Sequence, residues 1–497
     1  MKKTLSQKIA KDSFYNFSTT LISRIGAVVF TIILTRILAP EQFGIYSLVL
    51  SMVFLLVMVI DTGINTALLK FVGNGGDRKS SAYFRHILGL KLKFALAASV
   101  VVVVLAYPLS KFVFQKEGMV IPLLIGSIYL ILLAAESFFT LIFYVFSEVK
   151  FVLVKETLSQ TLRIALIFLI PLIALKTNYV SASLIALNCS LITVVLFLFF
   201  LARKRYPNLF KKEDLSIDKT NVIKFISYVT LGGLSAMFFS YIDILMIGIM
   251  VSDASYAGFY RAATTVVFGV AGLLSFGNVL LPRFVKIKNK DLENGLNRIL
   301  KYILVLSVPA SIGLLIIGKY ILRVFYGYGY LDANYSMIFL SLLLIETPIT
   351  ATLYALLSAK GKPEIYTKAS TMALIANVIL NFIFISWFLR YSLSWAIAGA
   401  ALATLISRLL YLVIMTKKTK DLFKIKLNYG LIIKPLIASL VMAVALIYYI
   451  NSVSDMDAIT GVIAIVIGIA VYFVSILILR GITWEDLKLA NPRNLVN

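Results

Sequence analysis

Residues 43–67 read FGIYSLVLSMVFLLVMVIDTGINTA, with Asp61 as the only charge. As an α-helix at about 1.5 Å per residue the run is about 37 Å long. That is enough to cross a hydrocarbon layer of about 30 Å. Similar stretches lie on both sides of it. Together they make about fourteen, near 13–38, 43–67, 87–110, 119–145, 153–175, 180–202, 221–249, 256–281, 299–318, 334–358, 366–388, 393–416, 430–450 and 458–479. The widest connection, 203–220, is too short for a soluble domain with its own core. The expected fold is an all-α polytopic membrane protein.

Composition agrees. Of 497 residues, 60% are apolar and 14% charged, whereas soluble domains carry about 25% charged residues. With a mean hydropathy of +0.95, a soluble enzyme, a disordered chain and a collagen-like fibre are excluded. Cys189 and His86 are each the only residue of their type. No intrachain disulfide, no His/Cys metal site and no Ser-His-Asp or Cys-His centre is expected.

The net charge of +25 would suggest nucleic acid on a soluble protein. Here it follows from orientation. About 37 of the 48 Lys and Arg residues fall on the side of the N-terminus, and about seven on the other. This positive-inside bias places both termini in the cytoplasm, in contact with anionic lipid, and no nucleic acid partner is expected. The basic N-terminus runs into a full-length span, so no cleavable signal is expected.

Phe43-Gly44-Ile45-Tyr46 opens the second span and Ala257-Gly258-Phe259-Tyr260 opens the eighth, 214 residues later; at that offset Gly63 falls on Gly277. The offset equals six spans. Spans one to six and seven to twelve then read as parallel repeats, two pseudo-symmetric six-helix lobes. The expected division is 1–202 for the N-lobe, 203–220 for a basic cytoplasmic linker, 221–416 for the C-lobe and 417–497 for a C-terminal hairpin and tail.

Eight ionisable residues sit well inside spans: Arg24, Asp61, Glu136 and Arg163 in the first half, and Asp243, Arg261, Glu346 and Arg408 in the second. Each costs about 2.5–3.5 kcal/mol or more at the bilayer centre. Depth along the spans suggests the pairs Asp243–Arg261, Glu136–Arg163, Arg24–Asp61 and Glu346–Arg408. They read either as ion pairs that let each lobe pack, or as the lining of a hydrated cavity. In a cavity the arginines would hold an anionic substrate and the carboxylates would serve ion coupling. Arg24 is the leading candidate, on a polar stripe with Asn16, Thr20, Thr31 and Thr35; Asn65 lies near Asp61 on the next span. Asn377 and Asn381 give span eleven a polar face that interhelical hydrogen bonding explains. Gly232-Gly233, Ser235, Pro171, Pro309 and Pro348 are expected sites of bending.

Arg36-Ile37-Leu38-Ala39-Pro40-Glu41-Gln42-Phe43-Gly44-Ile45-Tyr46-Ser47-Leu48 resembles the hallmark of polysaccharide-export flippases, the Wzx-type branch of the MOP superfamily. Asp61-Thr62-Gly63 followed by Ala67-Leu68-Leu69-Lys70 resembles the rest of that signature. Tyr241-Ile242-Asp243, Ile247-Gly248 and Ala257-Gly258-Phe259-Tyr260 resemble its second-half counterpart. The resemblance implies a V-shaped bundle exposing its cavity to one side at a time. It implies a substrate of polyprenyl-pyrophosphate-linked oligosaccharide, moved from the cytoplasmic to the outer leaflet of the cell membrane. Arg24 resembles the first-helix arginine of related lipid flippases. Arginine suits phosphate through its forked donors. No phosphate loop for nucleotides is present, so H+ or Na+ is the expected coupling ion and no other cofactor is expected. Membrane lipids and polysaccharide polymerase or assembly proteins are the expected partners. A cation-coupled drug or metabolite antiporter of the MATE type is the alternative; the 40–46 signature and the added C-terminal helices argue against it. A membrane enzyme would need large extramembrane loops or clustered catalytic carboxylates, so none is expected.

Overall fold

The computed structural model describes residues 5–73, 76–175, 178–211, 215–274, 289–453 and 457–482. No strand occurs among the described residues. The helices are α1 (Leu5–Ile37), α2 (Pro40–Ala67), α3 (Gly76–Pro108), α4 (Val120–Val145), α5 (Val149–Ile167), α6 (Ile170–Ala174), α7 (Tyr179–Arg205), α8 (Lys219–Met250) and α9 (Ser255–Leu274). They continue as α10 (Asn289–Tyr326), α11 (Ala333–Ser341), α12 (Leu343–Ala359), α13 (Pro363–Phe388), α14 (Leu393–Phe423), α15 (Ile433–Ser452) and α16 (Ala458–Ile478).

Caps and breakers set these bounds. Pro40 opens α2, where its missing N–H costs nothing. Asn178, Asp218, Ser392 and Asp457 accept from the first turns of α7, α8, α14 and α16. Gly327, at φ 97°, ends α10 in a conformation that side chains resist.

Among the described residues, 11 helices are long and apolar enough to cross a membrane, or 13 if two bent pairs count as one span each. The bends are 49° within α8, next to Gly232-Gly233 and Ser235, and 46° between α11 and α12. The fourteenth expected span, 153–175, is α5 and α6. It falls short because α5 carries Lys150, Lys155, Glu156 and Arg163 and breaks before Pro171. Pro309 lies inside an unbroken α10. The end of the eighth expected span and Gly277, the expected counterpart of Gly63, lie outside the described residues.

The 214-residue offset also relates helix boundaries. It carries Leu5 onto Lys219, Val149 onto Pro363, Tyr179 onto Leu393, and the cap Asn178 onto the cap Ser392. Compactness divides the chain elsewhere, into a unit ending at Arg261 and a unit beginning at Ala262. In the first, α2 packs along α8 and against α4, α4 against α7 and α3, and α1 against α5. In the second, α13 packs on α14, α11 on α14, α10 on α15, and α15 on α16. The start of the 203–220 connection is docked rather than loose. Tyr206 stacks on Phe146 at 4.2 Å and donates to Glu148 at 2.7 Å, and Ser81 donates to the Lys211 carbonyl at 2.7 Å. Burial and Glu148 push the Tyr206 phenol above its ordinary pKa.

Candidate substrate and ion site

Along α2 the first unit holds two polar layers. In the layer nearer Pro40, the Arg163 guanidinium of α5 donates to the Tyr129 hydroxyl of α4 at 2.7 Å. Tyr46 is buried close enough to feel the charges of both Arg163 and Arg261. Phe54 stacks on Tyr241 and meets Tyr129, the partner of Arg163, edge-on. Beside them Tyr260 donates to buried Asp243 at 3.0 Å. This layer brings together Arg163, Arg261 and Asp243 of the expected site, and adds Tyr46, Tyr129 and Tyr241.

The layer nearer Ala67 is a ladder of opposite charges. Lys91 of α3 is paired with Asp61, and its ammonium also donates to Asn65 at 2.9 Å and Ser137 at 3.1 Å. Lys155 bridges Glu136 and Glu156, and Gln160 donates to Glu156 at 2.8 Å. Two expected pairings are corrected here: Asp61 meets Lys91 rather than Arg24, and Glu136 meets Lys155 rather than Arg163. The reason is rotational. Depth matched, but the helices turn the acids toward nearer lysines. Lys91 and Lys155 are among the basic residues that the charge count puts on the side of the N-terminus. Both lie inside expected spans, which was the signal available in sequence. Lys91 is 0% exposed and Lys93, two residues on and so on the opposite helix face, is exposed.

Arg24 lies exposed on α1. Its neighbour Gly26 faces the other way, where the Gln160 side chain fills the space a Cβ would need. Asn16 accepts from the Tyr144 hydroxyl at 3.2 Å. The stripe's hydroxyls are satisfied by their own helix: Thr20, Thr31 and Thr35 donate to the carbonyls of Asn16, Ala27 and Thr31. The stripe therefore does not by itself require water or protein opposite it.

In the second unit Glu346 is 1% exposed, with Arg408 of α14 as its electrostatic neighbour and Thr347 donating to it at 3.2 Å. Asn377 donates to Thr404, and Asn381 to Asn377. No group of three or more His, Cys, Asp or Glu suited to a metal occurs among the described residues.

Glycines set how closely the motif helices approach. A methyl on Gly44 would overlap the Ala254 carbonyl, and one on Gly258 would lie 2.9 Å from the Pro40 carbonyl. The two repeat-related glycines thus pack against each other's helix starts. Farther along, Gly63 meets the Ile226 carbonyl, so α2 and α8 are in close contact at both ends. Lys116 seals the first end. Its buried ammonium donates to the carbonyls of Gly248 at 2.8 Å and Val251 at 3.1 Å, completing the C-terminus of α8.

Residues 9–288, more than half of the chain, match the model of the polysaccharide biosynthesis protein family. The chain belongs to this family. Residues 250–468 also match the lipid II flippase MurJ family. Over 442 residues the chain is 29% identical to a probable lipid II flippase MurJ of Aquifex aeolicus, covering 84% of each. Over 258 residues it is 25% identical to a probable low-salt glycan biosynthesis flippase, Agl15, of Haloferax volcanii. That match spans 51% of this chain and about half, 53%, of the relative. A solved structure of lipid II flippase MurJ in an inward closed conformation superimposes with a TM-score of 0.77 at 17% identity, over 98% of this chain and 100% of that one. Membership of this family, the many long apolar helices and a fold like MurJ's identify a multi-pass membrane protein.

Proposed function

We propose that the chain is a flippase for polyprenyl-pyrophosphate-linked oligosaccharide. It would move this substrate from the cytoplasmic to the outer leaflet of the cell membrane by alternating access, with both termini in the cytoplasm. The observation that carries the reading is the Arg163 guanidinium held by the Tyr129 hydroxyl inside the bundle, with Arg261 on α9, the helix whose start packs against that of α2. Guanidiniums offer forked donors to a diphosphate, and Tyr129 holds that of Arg163 in place. Pyrophosphate and sugars cannot enter hydrocarbon unaided, since each unpaired polar group costs several kcal/mol. Arg24, exposed on α1, is suited to meet the head group first. The glycine contacts along α2 suit an interface that closes tightly and reopens, because at Gly44 and Gly63 a backbone carbonyl of the facing segment lies where a Cβ would be. H+ or Na+ is the proposed coupling ion. Asp243 and Glu346, both buried among the helices, are its candidate carriers.

Deletion should make a lipid-linked oligosaccharide accumulate on the cytoplasmic leaflet. Complementation with Arg163→Ala or Arg24→Ala should lower glycan export by about tenfold or more, the loss of one to two kcal/mol of head-group binding, with the protein still in the membrane. Full export by both variants would reject the arginine site; a deletion without accumulation would reject the function.

A further inference from the structure

The Lys91 ammonium is enclosed. It has three N–H groups, and three side-chain oxygens take them: the Asp61 carboxylate, the Asn65 amide oxygen at 2.9 Å and the Ser137 hydroxyl at 3.1 Å. Ser137 in turn donates to the Ala134 carbonyl at 3.1 Å, which turns its lone pairs toward the lysine. The side chain of Lys91 is 0% exposed, while that of Asp61 keeps 20% exposure. The adjacent acid, Glu136, is engaged by Lys155.

One carboxylate and two neutral oxygens around a single positive charge is the donor set that hard monovalent cations take. An ammonium group and K+ are nearly the same size. A free ion at this place and a lysine tip are therefore chemical alternatives. At the 214-residue offset, Asp61, Asn65, Lys91 and Ser137 fall on Ser275, Val279, Val305 and Ala351. The lysine and all three of its oxygen donors are absent together from the second repeat, as befits one functional group.

We propose that Lys91 is a resident cation: its ammonium fills an oxygen cage made by Asp61, Asn65 and Ser137. The cage therefore takes no cation from solution, and shortening Lys91 opens it as a site for K+ or Na+. A permanent counter-charge lets Asp61 stay ionised inside the bundle through every conformation. An exchangeable ion there would leave a bare carboxylate inside the bundle each time it departed. Coupling to an ion gradient then falls to acids elsewhere in the chain. The inference does not depend on the identity of the transported substrate.

The test is thermal unfolding of the full-length protein in detergent micelles, in KCl, NaCl or choline chloride at equal ionic strength. Native protein and Asp61→Asn should respond equally to exchange of choline for K+ or Na+. Lys91→Ala should melt lower than native in choline and regain about 2–4 °C in K+ or Na+. The double variant Lys91→Ala/Asp61→Asn should lose that gain. A folded Lys91→Ala protein indifferent to K+ and Na+ would overturn the proposal. So would a cation response of the native protein that Asp61→Asn abolishes, because the cage would then be filled from solution. Should Lys91→Ala not fold, the native and Asp61→Asn pair decides alone. The readout is melting rather than export, so this outcome and that of the flippase reading are separable.

Discussion

The two halves of the chain that the 214-residue offset relates fill their interiors differently. At the 214-residue offset Lys91, Glu136, Lys155 and Arg163 fall on Val305, Thr350, Ala369 and Asn377. The first repeat joins its helices through a ladder of full charges. The second uses neutral amides and hydroxyls, Asn377 on Thr404 and Asn381 on Asn377. It also keeps buried acids, Asp243 and Glu346, whose first-half positions are Val29 and Leu132. A charge ladder fixes its helices hard, because removing any rung strands a bare charge. An amide pair holds more weakly and tolerates loss.

The sharpest break of this contrast is at Lys155. Lys155→Met strands Glu136 and Glu156 together, and unfolding should become easier by about 3–5 kcal/mol. The double variant Lys155→Met/Glu136→Gln should recover a large part of that loss. Melting of the single and double variants in micelles checks both, and equal melting of the two would mean the rung contributes nothing by its charge. The neutral counterpart is Asn377→Ala. A lost interhelical amide bond in a membrane costs about 0.6–1.7 kcal/mol, so its melting shift should be well below that of Lys155→Met. A larger shift would erase the contrast.

The smallest effect is expected at Lys116, whose position in the second repeat is buried Tyr330. Burial pushes the Lys116 amine below the ordinary lysine pKa, with Asp253 and Glu41 opposing. Between the lowered value and the ordinary one, the unfolded chain binds more protons than the folded one. Lys116 thus favours folding more as pH rises through that window. Melting of native protein relative to Lys116→Met should widen in the native protein's favour from pH 8 toward the ordinary lysine value. A difference independent of pH would show that the amine is not perturbed.

Much of this was legible before any coordinates. The spans could be read because a bilayer-crossing helix must be a long apolar run. The 214-residue offset, which also carries several helix starts onto one another, could be read because Gly44 and Gly258 open their helices in similar local sequence. The span 153–175 was the exception, since its charges work inside the bundle while lowering its apolarity. Tyr46 and Tyr129 were invisible as site residues because an interface tyrosine and a buried arginine partner have the same local signature.

What the sequence determined by itself was the class of the molecule, its helices and their repeat. Each of these depends on residues close in the chain and on the composition that lipid demands. Which charge meets which was decided only by tertiary structure. Asp61 and Lys91 are 30 residues apart on different helices. Depth in the membrane fixes one coordinate of each side chain, and the rotation of each helix about its own axis, set by packing, fixes the other.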